Sequence, residues 1–491
     1  MADAPHLTKQ VNRGVLWSGS AQAVIAVADM VSQLLVVAVW VSATDLGIVY
    51  KALAFYPMLD TAADLGVTSS VVQLDDHTPE RLSTVFWFNM LVSGALFALL
   101  VGLGPLYGWL QGHAVVGLLL IAYGGKLLFQ NVYAIPFALL RKELRFADIA
   151  KARVAAHLTE SIARVVFASL GLTIWCFTLA ALTRVLVFGV IVQARHPFIP
   201  KLVFRPREVV EYVRFGLRSA ASQVLYQLYT NLDYPIVGYF FGDADLGIYT
   251  LAYSIVLEPV KTIANVVIDV AFPTFTLLRA DRAALVKQFI AFTRLNLIAV
   301  LPFVALVALI IPELLHLLYA SGKWEPHQLT LCAEATRILC IVGVLRALGF
   351  IGPPLLDGVG RPERTLRYMV VAAVLVPGSF LIGALVLGHA IGFLSVAVAW
   401  AVGYPIAFAV LMYTIATTIE LPVGAYARAA WGIVGSCAAG VAAGSGVSLA
   451  LADEGDLSRL LAISAAFLVT TAALLTTWQK ITPRSIAAAL K

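Results

Sequence analysis

Asp45-Leu46-Gly47-Ile48-Val49-Tyr50 opens one long apolar stretch, and Asp245-Leu246-Gly247-Ile248-Tyr249 opens another, later in the chain. Each stretch carries a proline well inside it, Pro57 and Pro259. Pro136, in a further apolar stretch, has counterparts in Pro353 and Pro354. A short turn motif can recur by convergence. Its recurrence together with prolines at matching places predicts two like halves running in the same direction. Proline-interrupted spans in corresponding halves are a pointer to the binding site of a transporter.

Composition sets the solvent around these halves. The 491 residues are 60% hydrophobic and 13% charged, where a soluble domain carries about 25% charge. So much apolar surface belongs in lipid. Each crossing is then helical, because backbone groups find no water in the hydrocarbon core. The expected fold is all-α, with fourteen spans at 14–42, 46–73, 83–110, 114–140, 152–171, 173–195, 212–241, 246–273, 286–311, 327–356, 365–387, 391–417, 425–451 and 458–479. Most reach the roughly 20 residues a crossing needs, and the fifth and sixth meet at Gly171. The repeat divides the chain into a six-span lobe at 1–195, a linker at 196–211, a second six-span lobe at 212–417 and an accessory pair of spans within 418–491. Gly440 and Gly444 give that last pair a small-xxx-small face for close packing.

Basic residues collect in alternate connections. Arg141, Lys142, Arg145, Lys151 and Arg153 form one group; Arg195, Lys201, Arg205, Arg207, Arg214 and Arg218 form the next. Arg279, Arg282, Lys287 and Arg361, Arg364, Arg367 follow the same alternation, whereas the opposite connections hold only Lys323 and Arg459, with acids such as Asp243, Asp245, Asp453, Glu454 and Asp456. The positive-inside rule places both termini in the cytoplasm. The net charge of +6 is therefore a topology signal and argues for no nucleic-acid partner. The first apolar stretch exceeds a signal-peptide core and reads as a retained span. Cys176, Cys332, Cys340 and Cys437 all lie within spans, without metal-ligand or disulfide spacing.

Charge inside the spans is the functional signal. Lys51, Lys126, Arg164, Arg184, Lys261, Arg337 and Arg346 interrupt apolar sequence. Such residues face a water-filled cavity and meet what passes through it. Arginine suits bidentate contact with phosphate. The competing reading is pairing within one helix: Glu160–Arg164 at i,i+4, and Glu258–Lys261 and Glu334–Arg337 at i,i+3. Lys126, Arg184 and Arg346 have no such neighbour and lead the list for an anionic substrate. The seventh span is unusually polar, and its Tyr226, Gln227 and Asn231 could stack on and hydrogen-bond a sugar, or bond to other helices. Asp29, Asp64, Asp233 and Asp269 are candidates for coupling to a proton or Na+ gradient, against a purely structural role. Pro57 and Pro259 are candidate hinges. Gly358-Val359-Gly360-Arg361-Pro362 is a turn without the strand–helix context of a nucleotide site, no Walker motif appears, and the eight histidines show no ligand spacing. No cofactor is expected.

Several stretches carry a family likeness. Arg13-Gly14-Val15-Leu16-Trp17-Ser18, the Asp45-Leu46-Gly47-Ile48 motif with Asp64-Leu65-Gly66, and above all Ile135-Pro136-Phe137-Ala138-Leu139-Leu140-Arg141-Lys142-Glu143-Leu144-Arg145-Phe146 resemble the polysaccharide-transporter branch of the multidrug/oligosaccharidyl-lipid/polysaccharide (MOP) exporter superfamily, the Wzx-type flippases. The resemblance implies MATE-like lobes in the bacterial inner membrane. It implies, as cargo, undecaprenyl-diphosphate-linked oligosaccharides moved from the cytoplasmic to the outer leaflet for exopolysaccharide, capsule or O-antigen synthesis. Membrane lipids, a polymerase and a co-polymerase are the partners it implies. The arginine pattern of the related lipid II flippases is not visible, which ranks that cargo lower. A drug/cation antiporter of the same superfamily would have a more acidic cavity. A membrane-embedded polymerase or glycosyltransferase would carry large outer loops, and the longest here, 312–326, is short. The chain is therefore read as a carrier and not an enzyme.

Overall fold

The computed structural model describes residues 4–64, 71, 78–319 and 322–479, with side chains described from residue 21 onward except 23, 64, 208–209, 211–220, 269 and 423. Among these residues every regular element is helical. The chain forms two compact units, Met1–Gly247 and Ile248–Lys491. The first holds α1 (Ala4–Val39), α2 (Ala43–Leu53), α3 (Tyr56–Asp64), α4 (Pro79–Leu110), α5 (Ala114–Lys142), α6 (Phe146–Ser169), α7 (Cys176–Arg195), α8 (Pro206–Asn231) and α9 (Asp233–Phe240). Helix α10 (Asp243–Leu277) begins in the first unit and runs on into the second. The second continues with α11 (Arg282–Tyr319), α12 (Pro326–Gly349), α13 (Gly352–Gly358), α14 (Pro362–Ile391), α15 (Leu394–Ile419), α16 (Val423–Ala450) and α17 (Asp456–Thr477).

Among the described residues, nine helical stretches are long and apolar enough to cross a membrane: α4, α5, α7, α11, α12 with α13, and α14 to α17. This is a multi-pass membrane protein. Its surface carries large apolar side chains such as Val190, Val374 and Leu449, while Lys51, Lys126, Arg164, Asp233 and Arg346 are buried. That arrangement satisfies a lipid solvent outside and keeps charge inside.

In the first unit α4 lies along α5, α6 along α7, and α1 along α6, with α5 also against α7. In the second, α11 lies along α12, α14 along α15 and α16 along α17. Gly440 of α16 meets Phe467 and Thr471 of α17, and Gly444 meets Ile463, so the small-residue face does pack the last two helices. The basic segment after α7 lies against the start of α4. There the Lys201 backbone N–H donates to Ser83 Oγ at 2.9 Å, and Trp87 Nε1 donates to the Lys201 carbonyl at 2.8 Å.

The repeated motif has a concrete cause. Ser42 and Asp45 form a capping box at the start of α2: the Asp45 N–H donates to Ser42 Oγ at 3.1 Å, and the Ser42 N–H to Asp45 Oδ2 at 3.2 Å. Two residues on, Gly47 lies against the Asp243 carbonyl, and Gly247 lies against the Ala43 carbonyl. The starts of α2 and α10 thus cross reciprocally. Any Cβ at either glycine would collide with backbone. Leu46, Ile48 and Leu246 are buried.

The prolines act unequally. The second expected span breaks at residues 54–55, and Pro57 stands in the first turn of α3, where a missing N–H is harmless. The tenth breaks at 350–351, with Pro353 and Pro354 opening α13. Pro136 and Pro259 lie inside unbroken helices. The seventh expected span turns at Leu232, between α8 and α9. The fifth and sixth are separated by a turn where Gly171 takes a φ of 84°, a left-handed conformation natural to glycine.

Candidate substrate-binding site

Helix α6 places His157, Glu160, Ser161 and Arg164 on one face through its i,i+3,i+4 spacing. Helix α1 packs along that face and adds Asp29 and Ser32. Asp29 accepts from the His157 ring at 3.0 Å and from Ser161 Oγ at 3.1 Å. Arg164 donates to Ser32 Oγ at 2.8 Å and to the Asp29 carbonyl at 3.3 Å. Glu160, on the same face, is 3.7 Å from Arg164 and 3.3 Å from Arg184 of α7.

Helix α5 adds Tyr123, Lys126 and Gln130, and α3 adds Tyr56 and Asp60. The Lys126 ammonium sits 4.5 Å from the Tyr56 ring centre and 5.5 Å from that of Tyr123. The two rings meet edge to face at 4.6 Å. Tyr56 Oη lies 3.2 Å from Asp60 and 3.3 Å from Gln130. Lys126 is only 5% exposed, and among the described residues no carboxylate lies within 4 Å of its nitrogen. Arg184, Asp60 and Glu160 act on it at longer range. One face of this network borders a groove of about 780 Å³ between α1 and α6, walled by Val27, Val31, Ile162 and Val166, with Ser32 and Ser161 in its lining.

The site balances three cations, Lys126, Arg164 and Arg184, against Asp29, Asp60 and Glu160. Asp29, His157 and Glu160 offer three ligand atoms within 4.8 Å of one another. Their carboxylates already face two guanidinium groups, which makes them poor ligands for a metal ion.

The other expected residues fall elsewhere. Lys51 is buried in an ion pair with Asp243, whose second oxygen lies 2.8 Å from His113. Arg346, in the second unit, donates to Tyr253 Oη at 2.7 Å and lies over the rings of Trp400, Phe350 and Tyr253. Lys261 is half-buried on α10. Arg337 is exposed and donates to the Ala308 carbonyl at 3.2 Å; the competing pair with Glu334 is not seen among the described residues. Tyr226 stacks edge to face on Tyr229. Asn231 donates to the carbonyl and side chain of Gln227 at 2.8 and 3.3 Å, within α8. Asp233 is fully buried and accepts from the Tyr234 N–H at the start of α9. The side chains of Asp64 and Asp269 lie outside the described residues.

Arg184 has no partner within its own helix, as expected, but Glu160 of the neighbouring helix approaches it at 3.3 Å. His157 belongs to the site, and its position one turn before Glu160 was the available signal. Tyr56 and Tyr123, beside Lys126, left no such trace.

Comparison with known proteins gives consistent matches. The family model described as "Polysaccharide biosynthesis protein" matches residues 36–328. The teichuronic acid biosynthesis protein TuaB of Bacillus subtilis (strain 168) is 26% identical over 441 residues, covering 86% of each chain. The lipopolysaccharide biosynthesis protein WzxC of Escherichia coli (strain K12) is 26% identical over 79% of each chain. Among solved structures, the lipid II flippase MurJ in an inward closed conformation superposes with a TM-score of 0.74 at 15% identity, covering 95% of this chain and 99% of the other. The last match is one of fold.

Proposed function

We propose that this chain, which belongs to the polysaccharide biosynthesis protein family, is a flippase for undecaprenyl-diphosphate-linked oligosaccharide repeat units. It moves them from the cytoplasmic to the periplasmic leaflet of the inner membrane for a cell-surface polysaccharide. TuaB and WzxC, both named for surface-polymer biosynthesis, support the reading. The observation that carries it is Lys126: a buried ammonium held by two tyrosine rings, within electrostatic reach of Arg184, and with no carboxylate in contact among the described residues. A buried cation of this kind is costly unless something anionic visits it. In this reading Lys126, Arg184 and Arg164 receive the diphosphate. Tyr226, Gln227 and Asn231 meet the sugars, and Asp29 links the cycle to a proton or Na+ gradient.

The full chain crosses fourteen times with both termini in the cytoplasm, and two six-helix lobes joined through 196–211 rock in alternating access. A pathway polymerase receives the product. Deleting the gene should leave lipid-linked repeat units in the cytoplasmic leaflet and stop polymer export. Loss of export without such accumulation would reject the reading. Periplasm-active reporters fused after residues 205 and 455 should be silent and active respectively; the reverse pattern would overturn the topology.

A further inference from the structure

Glu160 is surrounded by basic groups yet bonded by none of them. It is 5% exposed. One of its oxygens lies 3.3 Å from Arg184 and 3.6 Å from His157, and the other lies 3.7 Å from Arg164. These separations exceed the range of about 2.7–3.2 Å for a good N–H···O bond. Glu160 Oε2 has no hydrogen-bond partner, and neither does Arg164 Nε. Elsewhere in the chain Glu313 lies 2.9 Å from Arg459, nearer than any basic group lies to Glu160, although Glu313 Oε2 and Arg459 Nε also lack a hydrogen-bond partner. A buried carboxylate held by charge alone is expensive to keep and correspondingly easy to exchange for a better anion. A phosphate group is that anion, because its oxygens match the fork of a guanidinium.

We propose that Glu160 is the resident counter-ion of this site: it neutralises Arg184 and Arg164 between transport cycles, yields to a phosphate of the cargo, and takes the arginines back as the cargo leaves. The inference rests on the diphosphate reading above. It assigns Glu160 a positioning role, setting affinity low enough for release. Without it, the arginines should hold cargo more tightly and turn over more slowly, since binding the ground state better does not help passage over the barrier.

The test measures farnesyl diphosphate binding to the full chain in nanodiscs, alongside translocation of the lipid-linked oligosaccharide in vesicles. Glu160→Gln should bind the probe about tenfold more tightly, the worth of one hydrogen bond to a charged group, and translocate more slowly than wild type. In an Arg184→Gln background the gain should vanish, because the two residues act on one another. Should Glu160→Gln not accumulate, Glu160→Asp, which withdraws the carboxylate by one methylene, should show a smaller gain of the same sign. Wild-type binding with no gain in either variant overturns the counter-ion role alone. No binding by wild type overturns the diphosphate reading and the counter-ion role together.

Discussion

Arg164 in the first unit and Arg346 in the second are both buried, and their surroundings are opposite in kind. Arg164 faces Asp29, Glu160 and Ser32 at 2.8 to 3.9 Å, with donors and acceptors left over. Arg346 is enclosed by Trp400, Phe350 and Tyr253, the ring centres 5.1 to 5.8 Å away, and is bonded to Tyr253 Oη. A ring face attracts a cation through its quadrupole but cannot be displaced as an ion. A carboxylate can. The contrast is one between two residues: Arg164 stands among carboxylates, the kind of neighbour an incoming anion can displace, whereas Arg346 also lies over ring faces that it cannot. The sequence alone ranks Arg346 above Arg164, because Glu160 stands one turn before Arg164 and Arg346 has no such neighbour.

That contrast can be broken most forcefully at Lys126. Lys126→Ala, compared at equal membrane level, should reduce polymer export about tenfold or more, since one charge-assisted contact is worth roughly 1.5–3 kcal/mol. Its thermal stability should hold, because removing a buried charge that lacks a carboxylate also removes its desolvation cost. Normal export would show that Lys126 does not serve the cargo. Arg346→Ala should do the reverse. It forfeits cation–π contacts of about 0.5–2 kcal/mol and a packed side chain. Its melting temperature in detergent should fall while export per folded molecule stays within about twofold of wild type. Loss of export with unchanged melting would make Arg346 a cargo contact.

The crossing of α2 and α10 offers a smaller effect. Gly47→Ala sets a methyl group against the Asp243 carbonyl, and overpacking of this kind costs about 1–3 kcal/mol. Reduced accumulation is expected, together with easier cysteine labelling at position 43. Wild-type accumulation and labelling would show that the crossing opens freely. The mildest change should come from the prolines. Pro57→Ala, at a real helix break, should slow translocation about two- to fivefold through a cost near 0.4–1 kcal/mol. Pro259→Ala, inside an unbroken helix, should change it less. Equal effects would restore the symmetric hinges that the repeat suggests.

Much of the fold was legible because a membrane crossing needs an apolar run of fixed length, and such runs are visible one at a time. The capping role of Asp45 went unread, although Ser42 three residues earlier carries the signal. What each proline does was not legible, since the same residue opens α3 at Pro57 and rides inside α10 at Pro259. The site was half legible. Lys126, Arg164 and Arg184 stand out as charges in apolar sequence. Their arrangement depends on which helices adjoin: Glu160 reaches Arg184 across a helix boundary, and Lys51 finds Asp243 far along the chain. His157 looked scattered because its partner Asp29 lies on α1.

The most direct measurement is translocation itself. Purified wild-type chain and Lys126→Ala would be reconstituted into vesicles loaded on one leaflet with undecaprenyl-diphosphate-linked oligosaccharide, and arrival on the other leaflet followed by glycosidase accessibility. Wild type should transfer the lipid and Lys126→Ala should not rise above protein-free vesicles. Equal transfer by both proteins would contradict the claim that the buried cations of the first unit carry the cargo.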